Sequence, residues 1–238
     1  MAINSLSTGF RPGVCTSSTR PTAPYEGQTI FETDTDRMYV WNGSTWVIPN
    51  QTTQNPTGLE IVTPTSVTNG TALNNTVTFS NQPSVTINGI FSSTYTNYRL
   101  IYRLASTGSA TAYMRVQLTA SGTPVTSNYL HKTLWTDVNL ANATIGNFDQ
   151  ASTGFCFGPT GTPTDAPLCG TADVFSPFDS TVSTQMTNNA SGLYASIAFY
   201  TIWGGGFQRN ANSYDGIKLF NNTGNITGTV SIYGYRNS

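Results

Sequence analysis

The stretch that organises this chain is residues 19–47, TRPTAPYEGQTIFETDTDRMYVWNGSTWV. Two prolines bring the chain in extended, because proline fixes φ and withholds a backbone donor. Three short runs of strand-forming residues follow, separated by two turn signals. The strands are predicted at 28–32, 37–41 and 45–47, and the turns at Asp34–Asp36 and Asn42-Gly43. Residues 19–48 are therefore predicted to form a three-stranded meander.

This meander carries more aromatic surface than it can bury. Phe31, Tyr39, Trp41 and Trp46 fall on both faces of the predicted sheet. A few short strands are marginally stable alone, because their burial does not offset the entropy lost on ordering. We therefore expect the segment to pack against a partner.

The amino-acid sequence of the segment resembles that of a known family. Residues 20–35 follow the pattern Arg-Pro-x-x-Pro-x-Glu-Gly-Gln-x-Ile-x-Glu-Thr-Asp-Thr, and residues 41–46 follow Trp-Asn-Gly-Ser-x-Trp. Both resemble segments of tailed-bacteriophage virion proteins, in tail fibres, head fibres and capsid decoration proteins. The resemblance implies a virion location, with this segment attaching the chain to other virion proteins of the capsid or tail. The residues expected to serve attachment and oligomerisation are Phe10, Tyr25, Phe31, Tyr39, Trp41 and Trp46.

Composition excludes several classes of function. Only 9% of the 238 residues are charged and the net charge is −1, so nothing predicts electrostatic binding of nucleic acid. The sequence contains no run of roughly eighteen apolar residues, so it does not predict a membrane-spanning helix. The aromatic content of 12% argues against a disordered chain. We expect assembly in the host cytoplasm.

Stretches that contain proline and glycine but little regular pattern predict the domain boundaries. Residues 1–18 are predicted to be an N-terminal arm that orders on assembly, with a disordered terminus as the alternative. Residues 49–58 are an uncharged linker containing Pro49, Pro56 and Gly58. Residues 59–238 are predicted to form one all-β domain, a β-sandwich of the jelly-roll type.

Within that domain the strand-forming runs suggest two hairpins. Residues 97–104 are predicted to pair with 112–118, and 216–220 with 228–235. Residues 121–192 look irregular and predict long loops at one end of the sheets. A strand over 193–203 is predicted to stop at the three glycines that follow it.

The end of the chain also resembles the phage family. Its last two strand-forming runs are similar to the closing strands of domains in phage fibres and spikes, which commonly assemble as trimers. The resemblance therefore implies a homotrimer. The domain is expected to add apolar surface to that assembly from Tyr98, Tyr102, Tyr233 and Tyr235.

The sequence predicts no catalysis, cofactor or metal site. His131 is the single histidine and has no nucleophile motif beside it. The aspartates are scattered, which disfavours a polysaccharide hydrolase, and Asp34–Asp36 lacks the further ligands of a calcium loop. Cys156 and Cys169 flank a Pro- and Gly-rich loop, so both a bridge and two free thiols are open.

One segment suggests ligand binding. Three glycines lead into Phe207, Gln208, Arg209 and Asn210, which combine an aromatic ring with groups that hydrogen-bond sugars. The segment is predicted to be a loop, either a glycan contact or a plain connection. The first hypothesis is thus a structural virion protein, a trimeric fibre, spike or decoration subunit. The alternative is an adsorption module that recognises a host-surface glycan.

Overall fold

The computed structural model describes residues 12–49, 58–107, 112–137, 144–145, 149–160, 167–194 and 198–236. All regular structure among them is β, which confirms the all-β prediction. Contacts between residues divide the chain into two compact units, Met1–Pro56 and Thr57–Ser238. No described segment is a helix long and apolar enough to cross a membrane.

The N-terminal unit is one four-stranded sheet in the order β1-β2-β3-β4. Its strands are β1 Gly13–Cys15, β2 Thr29–Glu32, β3 Arg37–Trp41 and β4 Trp46–Val47. The predicted meander is confirmed, since β2, β3 and β4 pair antiparallel in sequence. Both turns form where expected, with Asp36 and Gly43 at positive φ.

The first strand corrects the predicted arm. β1 pairs parallel with β2 of the same chain, so residues 13–15 belong to the sheet without any partner chain. The expectation that the whole arm orders only on assembly is wrong for this part. Phe10 and the rest of the arm up to residue 11 lie outside the described residues.

The C-terminal unit consists of two sheets that share one hydrophobic core. The large sheet has eleven strands, with the path β14-β13-β19-β18-β17-β10-β21-β8-β7 and with β15 and β5 paired to β13 and β21. Its strands are β5 Leu59–Ile61, β7 Thr71–Leu73, β8 Thr76–Gln82, β10 Asn97–Ser106, β13 Tyr129–Asp137, β14 Thr144–Ile145, β15 Asp149–Ser152, β17 Leu168–Phe175, β18 Ser183–Tyr194, β19 Ala198–Ala211 and β21 Ile226–Tyr235.

The small sheet has six strands, in the order β12-β11-β20-β9-β6 with β16 paired to β11. Its strands are β6 Ser66–Thr68, β9 Ser84–Asn88, β11 Tyr113–Ala120, β12 Thr123–Pro124, β16 Phe155–Pro159 and β20 Gly216–Asn221. Inward side chains of both sheets, such as Leu100 and Ile232 of the large sheet and Val116 and Ile217 of the small one, are buried. The sandwich is confirmed, and its jelly-roll type stays a prediction.

Both predicted hairpins are wrong. β10 lies in the large sheet between β17 and β21, whereas β11 lies in the small sheet. The terminal pair, β20 and β21, is divided between the sheets in the same way. Period-2 alternation shows that a strand has one buried face. It does not distinguish a neighbour in the same sheet from one across the core.

The loop prediction for residues 121–192 is also wrong, because this region holds long strands, β13, β17 and β18 among them. β18 has the sequence STQMTNNASGLY, whose described inward positions include Asn188 and Ala190 beside Met186. The contrast between its two faces is therefore small, and periodicity does not detect it. The predicted stop at 204–206 is wrong as well, since β19 runs through these glycines to Ala211.

Candidate functional site

The first candidate surface is the aromatic side of the N-terminal sheet. Trp41 and Trp46 are directly opposite each other on β3 and β4, with ring centroids 5.6 Å apart in an edge-to-face arrangement. The Arg20 guanidinium lies 4.6 Å from the centre of the Tyr39 ring. Tyr39, Trp41 and Trp46 share this face and are half-buried, whereas Phe31, opposite Met38, is half-buried on the other face. Tyr25 is 71% exposed.

Three charged residues of segment 20–35, Arg20, Glu32 and Asp34, hold this sheet together. Glu32 is buried at the end of β2, where it bonds the Arg20 guanidinium and accepts a hydrogen bond of 3.0 Å from the Thr35 hydroxyl. The hydrogen bond from Arg20 lowers the pKa of Glu32. A buried carboxylate without a partner would be costly, so Arg20 and Glu32 depend on each other.

Asp34 ties the start of the described chain to the β2–β3 turn. Its carboxylate accepts from the Ser17 amide at 2.9 Å and from the Ser17 hydroxyl, and these bonds lower the pKa of Asp34. Asp34 therefore fixes the segment that follows β1. In the described part of the chain no three His, Cys, Asp or Glu side chains are grouped to hold a metal ion.

The predicted glycan segment lies on β19 and not in a loop. Strand alternation divides its residues between two faces: Phe207 is 41% exposed and Arg209 is exposed, but Gln208 is fully buried. The Gln208 amide donates to the Ser127 carbonyl at 2.7 Å and its oxygen accepts from the Asn210 amide at 2.6 Å. Gln208 thus has an internal role, while Phe207, Arg209 and Asn210 remain at the surface.

The outer face of the large sheet carries an aromatic row that the sequence prediction missed. Phe199, Trp203 and Phe207 share one face of β19. Phe199 and Trp203 are each 48% exposed, and Phe207 is 41% exposed. Leu134 lies beside Trp203 on β13 and is 38% exposed. The alternation of inward and outward residues continues through Gly204–Gly206, because β19 does not end at these glycines. A strand that includes them places Phe199, Trp203 and Phe207 on one face.

Comparison with known proteins adds little to this geometry. No family model matches the chain, and no curated protein matches it. Among solved structures, the SPRY domain of human HERC1 is similar with a TM-score of 0.30 and 8% identity, covering 76% of this chain and 100% of that one. A likeness at this TM-score supports no statement about family or function.

Two of the four tyrosines predicted to be surplus apolar surface are internal. Tyr98 and Tyr102 are buried in the sandwich core, which contradicts the expectation that they favour association. Tyr233 and Tyr235 are half-buried on the outer face. The Tyr235 hydroxyl donates to Asp173 at 2.8 Å. The exposed aromatic surface of the large sheet lies on β19 instead.

The described carboxylates of the sandwich have structural partners. Asp173 receives two hydrogen bonds of 2.7 Å from Arg99, which lower its pKa. Asp215 accepts from the Thr119 hydroxyl at 3.0 Å and the Gly122 amide at 3.2 Å. His131 is buried on β13. Asp165 lies outside the described residues.

The cysteines are free thiols, which decides between the two alternatives for Cys156 and Cys169. Cys156 is buried on β16 of the small sheet, and burial raises the pKa of its thiol to about 11. Cys169 is exposed on β17 of the large sheet. Cys156 therefore packs as a small apolar group.

Proposed function

We propose that this chain is a structural virion protein of a tailed bacteriophage, a homotrimeric fibre, spike or decoration subunit. Its N-terminal unit attaches to capsid or tail proteins, and the β-sandwich is the projecting part. The resemblance of residues 20–46 supports the virion location, and the resemblance to phage fibres and spikes supports threefold assembly.

The observation that carries this proposal is how little the N-terminal sheet buries by itself. Among described residues 12–49, Ile30 is the one fully buried hydrophobic side chain, while Phe31, Tyr39, Trp41 and Trp46 are half-buried. Full burial of a large apolar side chain contributes roughly 1.5–3 kcal/mol. Covering these rings with a partner therefore favours assembly.

Sedimentation of the full-length protein tests the assembly. We expect a particle of about three times the protomer mass of 25.5 kDa. The Trp41→Ser protein should incorporate poorly into particles, because the Trp41–Trp46 pair is removed from the attachment interface. Its sandwich should melt as in the wild type.

Phe199→Ser is the control, since it removes an exposed aromatic from the other unit and should incorporate as the wild type does. A wild-type monomer at micromolar concentration contradicts the proposal. So does a Trp41→Ser protein that incorporates normally.

A second candidate function, adsorption to a host-surface glycan, is favoured by the outer face of the large sheet. Exposed Trp203 and Phe207 lie there among threonine, serine and asparagine side chains of β17 and β18. Aromatic rings beside uncharged hydrogen-bonding groups suit a sugar, which has both apolar C–H faces and hydroxyls. The two functions are compatible in one protein.

A further inference from the structure

An open groove crosses the outer face of the large sheet at β13 and β19. It has a volume of about 530 Å³ and is lined by Lys132, Leu134, Trp203, Gly204 and Gly205. The register places Lys132 opposite Gly205 and Leu134 opposite Trp203. The apolar walls are therefore Leu134 and Trp203, and the ammonium group of Lys132 supplies the charge.

The groove exists because residue 205 has no side chain. A Cβ atom at Gly205 would meet only the Met186 carbonyl oxygen at 3.5 Å and a Thr187 methyl at 3.7 Å, which are ordinary contacts. Neither packing nor positive φ requires glycine at this position. On an extended strand Trp203 and Phe207 are about 13 Å apart, and Gly205 leaves the space midway between them open.

Uncharged hydrogen-bonding groups border the groove on its other side. Thr187 lies opposite Gly205 and Asn189 opposite Trp203 on β18, and both are exposed. A pyranose ring that rests on the Trp203 indole would bring its hydroxyls to this row. The hydroxyl and amide can each donate and accept.

No carboxylate whose side chain the structure describes balances the charge at the groove. Lys132 is exposed and forms no ion pair with any described residue. The carboxylate in the same row of the sheet, Asp173, is already bound by Arg99 and Tyr235. An anionic group on the ligand would complement Lys132.

We propose that this groove binds an acidic saccharide, with its sugar ring on Trp203 and its carboxylate on Lys132. The site lies beside the segment predicted from sequence and uses different side chains. The proposal rests on the adsorption function above and names its ligand class.

Binding is tested by calorimetry of the full-length protein with oligogalacturonate and oligosialate, each compared with its carboxyl-reduced neutral form. At least one acidic form should bind. Gly205→Val should weaken that binding at least about tenfold, because the valine side chain fills the groove. Lys132→Met should abolish the preference for the acidic form while retaining weak binding of the neutral one.

Controls separate a lost site from a lost fold. Phe199→Ala removes an aromatic of the same strand outside the groove and should bind as the wild type does. Gly205→Ala should keep the wild-type melting temperature, since its Cβ contacts are ordinary, and thermal unfolding of Gly205→Val shows whether the larger side chain leaves the fold intact.

Three results would overturn the proposal: no binding of either acidic probe, equal binding of the neutral forms, or no effect of Gly205→Val. Loss of trimer mass in Gly205→Val would also overturn it, because a second copy of the chain would then occupy the groove. A trimer that binds neither probe removes the adsorption function and leaves the structural one intact.

Discussion

The three consecutive glycines of β19 have different roles. A Cβ at Gly204 would lie 2.3 Å from Oδ1 of Asn188, whose amide donates to the Phe157 carbonyl inside the sandwich. A Cβ at Gly206 would lie 2.0 Å from the Leu130 carbonyl oxygen of the neighbouring strand. Both inward positions therefore require glycine for close packing, whereas outward Gly205 does not.

This difference predicts opposite effects of one substitution at adjacent positions. Gly206→Ala forces the backbone of β13 to move and should destabilise the sandwich by about 1–3 kcal/mol or more. Gly205→Ala should change stability by less than about 1 kcal/mol. Thermal unfolding of the two variants measures the difference. Equal melting temperatures would contradict the packing described for β19.

The buried Glu32 predicts a pH-dependent N-terminal unit. Its pKa is lower in the folded state than in the unfolded chain. Its stabilising contribution is therefore fully present above the ordinary glutamate pKa of about 4.3 and is lost as pH falls through the folded value. Hydrogen exchange, corrected for the intrinsic rate, should accelerate in peptides from 12–49 as pH falls.

Substitution separates Glu32 from other acidic groups. Glu32→Gln should exchange faster than the wild type at pH 6 and should lose the part of the pH dependence that Glu32 contributes, while the part due to Asp34 remains. Exposed Glu26→Gln, on the same unit, should behave as the wild type. If Glu32→Gln matches the wild type at pH 6, the Arg20–Glu32 pair does not hold the sheet.

Elements defined by local signals were the predictable ones. β2, β3 and β4 lie where alternation and turn residues placed them, because Asp36 and Gly43 supply the positive φ of short turns. The pairing of distant strands was not predictable, since β10 meets β17 and β21 through contacts far apart in sequence. The sequence did not predict β18 as a strand, because the buried Asn188 interrupts the apolar residues of its inward face.

The candidate sites follow the same rule. The aromatic residues of the N-terminal sheet could be named because their strands could be placed. Trp203 and Lys132 could not be brought together, because they meet only through the register of β13 with β19. The sequence places Gln208 at the surface because it predicts a loop for this segment, whereas the strand turns Gln208 inward.

The segment between the two units should be the first to be cut by protease. Residues 49–58 combine prolines with uncharged polar residues, and contacts group the chain on either side. Limited proteolysis of the full-length protein should release a stable fragment that begins between about Asn50 and Leu59. First cleavage inside β10 or β11 would contradict the division into units.

At the scale of the whole molecule, each unit leaves aromatic side chains at least partly exposed to solvent. The N-terminal sheet leaves its aromatic rings half-buried, and the sandwich buries its core but exposes Trp203 and its neighbours on one outer face. Partly covered aromatics on a small sheet favour protein–protein contact. The proposed function therefore places attachment on the first unit and recognition on the second.

A side-chain-resolution reconstruction of the intact virion tests this assignment most directly. The account predicts three copies around a threefold axis, with the sheet of residues 13–47 against capsid or tail protein and with Trp41 and Trp46 buried there. The β-sandwich should project, leaving Trp203 exposed to solvent. A particle that lacks the protein, or holds it through the sandwich with Trp41 and Trp46 exposed, would contradict the account.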